Sequence, residues 1–307
     1  MKYDYEVAII GAGSAGCAAA IYAGRSGANV VVFDKGMGGG LAVEAPAIEN
    51  YPGFKSIGGM ELMTRMLEHA KEYAEMRLGE EVKEMKVMEY GIEIFTSKNK
   101  YVVKSAIICT GAEHKRLNVK GEKEFYGKGV SYCATCDGFF FKGKKVVVIG
   151  GGNSALIEAI YLKQIGCNVT VIHRRDELRA EKALEIEAKE KGIKFIWNSV
   201  VEEIYGKEMV EKIRIRNIKT GEEKTMNVDG IFISIGEEPK SEIAKKIGIK
   251  IDEKGYIIID DMGRTNIDRI FAAGDVTGGV RQIITACAEG AKAALAAMKS
   301  IGKRSPF

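Results

Sequence analysis

Tyr5-Glu6-Val7-Ala8-Ile9-Ile10-Gly11-Ala12-Gly13-Ser14-Ala15-Gly16 is the stretch that decides the fold. Its first six residues are almost continuously apolar, the pattern of a parallel strand buried on both faces. Three glycines follow at the spacing G-x-G-x-x-G, and the small residues after them predict a helix through about Arg25. In such a turn the first glycine makes the bend, the second admits a pyrophosphate against the backbone, and the third lets helix and strand pack closely. The helix N–H groups then face the anion. A second buried strand, Asn29–Phe33, ends at Asp34. That is about 20 residues past the fingerprint, where a carboxylate accepts from ribose hydroxyls and repels a 2′-phosphate, so FAD or NAD suits this site.

The plan occurs twice. Lys145–Ile149 predicts another buried strand, Gly150-Gly151-Gly152-Asn153-Ser154-Ala155 a second glycine turn, and a helix runs from there to about Ile165. The next strand, Asn168–Ile172, ends in His173-Arg174-Arg175, with Arg179 one helical turn on. Guanidinium forks pair bidentately with anionic oxygens, so this ending favours NADPH over NADH. The bland alternative is a solvated basic turn.

Downstream, Ile92–Ser97, Tyr101–Lys104 and Ala106–Cys109 predict two hairpin strands and a buried return before Thr110-Gly111. Lys212–Asn217, Lys224–Val228 and Ile231–Ile235 repeat that order before Gly236. A last strand, Arg269–Ala273, ends at Gly274-Asp275 and precedes a small-residue helix over about Thr285–Ser300. The expected fold is α/β, with two Rossmann-like (three-layer ββα) dinucleotide-binding domains. The second, 115–242, is inserted into the first, 1–114 and 243–307.

Composition sets the outer limits. The 307 residues are 46% apolar and 29% charged, the proportions of a globular protein with full cores. The net charge of +4 is spread over 46 basic and 42 acidic residues with no basic arm, so nucleic acid is not implied. No leading segment has the layout of a secretory signal, and no apolar run spans a membrane, which makes the cytoplasm the default expectation. Met60, Met63, Met66 and Met76 are expected on a helical stretch as core or dimer packing.

Four of the six cysteines (Cys17, Cys109, Cys167, Cys287) lie among small or apolar neighbours and are expected in cores. Cys133 and Cys136 differ, because they form a Cys-x-x-Cys pair in Ser131-Tyr132-Cys133-Ala134-Thr135-Cys136-Asp137-Gly138. A structural zinc site needs four ligands, and neither a second pair nor histidine spacing supplies them, so no metal is expected. A catalytic dithiol is the remaining chemistry in a reducing compartment. Exchange needs a thiolate, and Asp137 is the adjacent group able to manage its proton; its bland role is to cap the turn before Gly138. Phe139-Phe140-Phe141 is expected to pack beneath the redox turn rather than meet a partner protein.

These residues together resemble the low-molecular-weight thioredoxin reductases over essentially the whole chain. The shared segments are Gly11–Gly16, Glu49–Gly53, Thr110–Ala112, Val130–Gly138, Gly150–Ala155, His173–Ala180, Ile235-Gly236, Gly274-Asp275 and Arg281-Gln282. The resemblance implies FAD in the first domain, NADPH in the second, a homodimer, and a thioredoxin or glutaredoxin-like protein as substrate. It implies that Gly11, Gly13 and Gly16 hold the FAD pyrophosphate, with Asp34 at the ribose and Asn50, Asp275, Arg281 and Gln282 along the rest of the site. It adds Ser14, Ala15, Lys35, Gly40, Leu41, Thr110, Gly111, Gly236, Gly274 and Ile283 to the cofactor-lining set. Gly150, Gly152, Asn153, Ser154, Ala155, His173, Arg174, Arg175 and Arg179 would line the NADPH site. Cys136 would face the flavin, Cys133 would attack the substrate disulfide, and Asp137 would donate and accept the proton. The resemblance further implies rotation of the inserted domain between two poses.

Leu41 departs from the family pattern, which has glutamine there. The missing amide opens ferredoxin or a deazaflavin as alternative donors, while the arginines favour NADPH. A flavin-dependent dithiol oxidase is the rival of the same architecture, and a non-catalytic NADPH sensor the rival from another class. A sensor would not need Cys133 and Cys136.

Overall fold

The computed structural model describes residues 2–45 and 47–303. The chain divides into two compact units, Met1–Glu113 with Glu238–Phe307, and His114–Glu237. The return to the first unit therefore falls at Glu238, earlier than the Ile243 expected from the sequence.

Along the chain, the first unit opens with β1 (Tyr5–Ile10), α1 (Ser14–Arg25), β2 (Val30–Asp34), α2 (Gly59–Lys71) and β3 (Glu75–Leu78). It continues with β4 (Val82–Met88), β5 (Gly91–Thr96), β6 (Lys100–Ile108) and β7 (Ala112–His114). The second unit holds β8 (Val130–Ser131), α3 (Ala134–Asp137), β9 (Lys145–Ile149), α4 (Asn153–Gln164), β10 (Asn168–Ile172) and α5 (Lys182–Glu190). It ends with β11 (Lys194–Ile196), β12 (Ser199–Gly206), β13 (Val210–Asn217), β14 (Glu223–Asn227) and β15 (Gly230–Ile233). Then come β16 (Glu237–Pro239), α6 (Glu242–Lys246), β17 (Ile270–Ala272) and α7 (Ile283–Ser300).

The first unit's sheet runs β3-β2-β1-β6-β5-β4, with β17 also on β6. β1 is parallel to both β2 and β6, in register Val7↔Val30 and Val7↔Ser105. Ile9, Phe33 and Ile107 are fully buried on these strands. Burial of such a side chain is worth about 1.5–3 kcal/mol, which is why the apolar runs become the central strands. α1 is largely alanine and glycine, and α7 crosses it at backbone range. A Cβ on Gly290 would overlap the carbonyl oxygen of Ala15. Met63 lies in this core, but Met60 is exposed and Met76 sits on β3 rather than on a helix.

In the second unit a parallel sheet, β11-β10-β9-β15-β8, accompanies a separate antiparallel sheet, β12-β13-β14. The two segments that cross between units, β7 and β16, pair as a two-stranded ribbon. The α/β fold with two dinucleotide-binding units matches the expectation. One correction concerns Tyr101–Lys104 and Ala106–Cys109, which form a single strand, β6, with Ser105 buried in its middle. The Ser105 hydroxyl donates to the Arg269 carbonyl at 2.9 Å, so a polar residue sits in the strand without breaking it. No helix among the described residues is long and apolar enough to cross a membrane.

Candidate active site

Gly11 turns the chain out of β1 with φ +105°, and a Cβ there would overlap the Cys109 carbonyl, so only glycine fits. α1 starts one turn later with Gly13 as an extended cap and no side chain bonded to its first N–H groups. Gly13 looks onto Gly40, whose own added Cβ would lie 3.6 Å from the Gly13 Cα. Two facing glycines beside open helix N–H groups form a cradle that a side chain would fill, and a pyrophosphate fits it. Asp34 accepts the Ala12 N–H and the Gly36 N–H, both at 2.8 Å, and so ties the fingerprint to the loop after β2.

Farther along this unit, the Asn50 amide donates to Gln282 Oε1 at 3.0 Å. Gln282 closes a capping box with Thr285 at the start of α7, immediately before Ile283. Arg281 adopts φ +52° and donates to the Tyr256 hydroxyl at 3.1 Å. The Gly274 N–H, beside Asp275, is held at 2.8 Å by Glu289, a residue sequence reading missed.

Thr110 and Gly111 act on the returning chain: the Thr110 hydroxyl donates to the Lys240 carbonyl, and the Lys240 N–H to Gly111. Lys35 lies against the Lys240 amine, which pushes its pKa down. Leu41 sits in a short 3-10 turn, Gly40–Glu44, and brings no hydrogen-bonding side chain there. Cys17 and Cys109 are buried as expected; Cys287 is only partly so and places its sulfur 3.7 Å from the Ser14 carbonyl.

At the second glycine turn, a Cβ on Gly150 would overlap the Ser234 carbonyl and one on Gly151 the ring of His173, whereas Gly152 faces open space. α4 begins there, again without a capping side chain. The arginine segment folds back onto this turn. The N–H groups of Arg179 and Ala180 donate to the Gly151 carbonyl at 2.8 and 3.2 Å. Asn153 and Glu181 bond reciprocally, both at 2.8 Å, and Glu181 is another residue the sequence did not reveal.

His173 is buried beneath the loop with Nε2 unpartnered. Burial pushes its pKa down, and Arg175 and Arg179 add to that, so the imidazole is neutral at pH 7. Arg174, Arg175 and Arg179 are exposed, Asp176 between them is turned to Lys219, and the lip of the turn is cationic. Ser154 is exposed and Ala155 buried at the helix start. Gly236, with φ +109°, accepts the Lys115 N–H at 3.0 Å.

Cys133 and Cys136 are joined as a disulfide, with Cα atoms 5.3 Å apart across α3. The Cys136 N–H donates to the Cys133 sulfur at 3.2 Å, and the Thr135 hydroxyl lies 3.3 Å from it. Once the pair is reduced, donors at this sulfur would favour its thiolate. The Ser131 hydroxyl donates to Asp137 Oδ2 at 2.6 Å. Burial pushes the Asp137 carboxyl up, against the pull of Ser131. The Asp137 side chain makes no cap to the short turn Gly138–Phe141 that follows it.

Tyr132 stacks on His114, with centroids 4.9 Å apart and planes at 9°. After the turn, Phe141 is buried, but Phe139 and Phe140 are 65% and 43% exposed, contrary to the packing expected for all three. Cys167 lies underneath, its thiol donating to the Phe141 carbonyl at 3.1 Å. Among the described residues, no group of three or more His, Cys, Asp and Glu side chains could hold a metal ion.

A family model for pyridine nucleotide-disulphide oxidoreductases matches residues 5–290. The chain is 44% identical over 301 residues to a thioredoxin reductase of Listeria innocua, covering 97% of this chain and 94% of the relative. It is 44% identical over 294 residues to the thioredoxin reductase of Bacillus subtilis, covering 94% and 92%. Among solved structures, the thioredoxin reductase from Streptococcus pyogenes matches with a TM-score of 0.91 at 42% identity, covering 97% of this chain and 98% of that one.

Proposed function

The chain belongs to the pyridine nucleotide-disulphide oxidoreductase family, and from that footing we propose that it is an NADPH-dependent reductase of a thioredoxin-like protein disulfide. The observation that carries the reading is the Cys133–Cys136 disulfide, set on a turn that gives one sulfur two donors and places a carboxyl on a buried hydroxyl.

In this proposal the first unit takes FAD at the Gly13–Gly40 cradle, and the second takes NADPH at Gly152 beneath the three arginines. When bound, the flavin supplies the two-electron link between nicotinamide and disulfide. The chain's own residues manage the sulfur chemistry. The reduced Cys133 thiolate attacks one sulfur of the substrate disulfide, forming a mixed disulfide and releasing the other sulfur, which takes up a proton. Cys136 then loses its proton by way of Asp137 and attacks Cys133. The S–S bond re-forms within the pair, and the substrate's second sulfur leaves to be protonated. Two electrons pass from the dithiol to the substrate, and the two protons its sulfurs take up equal the one Cys136 loses plus the one Cys133 gave to solvent on ionising.

The relatives' names support a thioredoxin-like substrate. A cytoplasmic setting is supported by a Cys-x-x-Cys pair beside a dinucleotide-binding unit, the spacing that reducing compartments use for redox chemistry. Exposed apolar side chains on the first unit, Met60, Val280 and Ile284, support a homodimer. Leu41 favours a second reading in which ferredoxin or a deazaflavin is the donor. Anaerobic titration of the flavin-loaded protein with NADPH, NADH and those donors, followed by a disulfide-exchange assay, separates the readings. NADPH should bleach the flavin; failure to do so overturns the donor assignment. Cys136→Ser should leave flavin reduction intact and abolish turnover, and retained turnover would remove the dithiol from the pathway.

A further inference from the structure

Ser131 is 2% exposed, on the two-residue strand β8 that leads into the redox turn. Its oxygen is the centre of three contacts. The Cys133 N–H donates to it at 3.0 Å, Asp137 Oδ2 lies at 2.6 Å, and the Cys133 carbonyl lies at 3.3 Å. A hydroxyl has one proton to give, and the shorter, better acceptor is the carboxyl, so the proton goes to Asp137 while the Cys133 N–H fills an acceptor site. The result is a clamp that joins the backbone at the first sulfur to the carboxyl after the second. β8 pairs with β15 through Val130 and Ser131, so Ser131 is set by the sheet on one side and reaches the redox turn on the other.

We infer that Ser131 is the positioning residue for the proton step at the redox pair, holding the Asp137 carboxyl against the turn during thiol–disulfide exchange. The inference rests on the disulfide-reductase reading above. Donation from Ser131 favours the ionised carboxylate, whereas burial favours the neutral acid. Around Asp137 stand Ser131 from β8 and, at the following residue Gly138, Leu162, Ile165 and the Tyr161 ring. Burial raises the Asp137 carboxyl and the Ser131 hydroxyl lowers it, the two acting without a charged side chain beside them. The hydroxyl is thus the element that keeps the carboxyl able to accept a proton. Proton transfer by a positioned group contributes about 10²–10⁴-fold, and a hydroxyl that orients such a group commands a fraction of that.

The test compares Ser131→Ala with Ser131→Thr in the flavin-loaded protein. In Ser131→Ala, disulfide turnover at pH 7 should fall about tenfold, and its acid limb should move to higher pH, so activity recovers as the medium becomes more basic. Ser131→Thr should restore the parental limb. Reduction of the flavin by its donor should stay within about twofold in both variants, because that step precedes the dithiol. A second measurement needs no turnover: an infrared titration of the Asp137 carboxyl in the oxidised protein, assigned by subtraction of Asp137→Asn. The Asp137 band should titrate at higher pH in Ser131→Ala. A pH profile and carboxyl titration unchanged in Ser131→Ala would overturn the inference. Loss of donor-to-flavin reduction in the parent protein would instead strike the functional reading and leave the infrared result to judge Ser131.

Discussion

The Tyr132 hydroxyl donates to Glu122 Oε1 at 2.7 Å, and the same carboxylate accepts the Leu117 and Asn118 N–H groups at 2.8 and 2.7 Å. Glu122 is 4% exposed, so a buried carboxylate fastens the residue before Cys133 to the segment that follows β7. Burial and then Glu122 push the Tyr132 pKa up, which keeps the phenol a donor. Tyr132→Phe removes one hydrogen bond to a charged group and should cost about 1.5–3 kcal/mol in denaturant unfolding. Glu122→Ala should cost more, because the Tyr132 hydroxyl and two backbone N–H groups, at Leu117 and Asn118, lose their acceptor together. Equal midpoints for Tyr132→Phe and the parent would show that the bond carries no net stability.

Gly290 lets α7 lie on the carbonyl of Ala15, in the first turn of the helix that forms the pyrophosphate cradle. Gly290→Ala must displace one helix or the other, a misfit that costs about 1–3 kcal/mol. The variant should melt lower and lose flavin on gel filtration that the parent retains. A folded variant with full flavin content would show that the helix crossing is looser than its packing indicates.

The core strands were legible in the sequence because burial on both faces writes a continuous apolar run, as in Tyr5–Ile10 and Lys145–Ile149. β4 was not, since Val82–Met88 is an edge strand with charged residues on its open face. β12 hides for another reason: its register shifts between Val201 and Glu203, and the bulge breaks the alternation. Cys133, Cys136 and Asp137 could be named from spacing alone. Ser131 could not, because nothing in a lone serine tells which acceptor it will meet. Glu181 and Glu289 likewise act through backbone groups that only the fold brings to them.

Glu6 supplies a pH test of the first unit. Burial raises its pKa, but bonds from Lys303, Lys104 and the Asn29 N–H prevail and hold the carboxyl at about 2, below its ordinary 4.5. A depressed carboxyl stabilises the fold above the unfolded value, and that contribution is lost as pH falls through the folded one. Glu6→Gln should therefore be less stable than the parent at pH 7, with the gap closing between about pH 4.5 and 2. A gap that stayed constant across this window in urea unfolding would place the effect in packing instead of charge.

The arginines at the second glycine turn offer the sharpest check on the electron donor. Arg174 and Arg175 are exposed, and His173 is neutral in its buried site, so the positive charge at the lip comes from guanidiniums. A 2′-phosphate distinguishes NADPH from NADH, and each charge-assisted bond to it is worth about 1.5–3 kcal/mol, or roughly tenfold or more in affinity. The double substitution Arg174→Ala/Arg175→Ala should raise KM for NADPH about 100-fold while leaving NADH kinetics within about twofold. If both cofactors weaken equally, the arginines hold the loop and do not read the phosphate. If neither changes, electrons enter by another route, as the absent amide at Leu41 would allow.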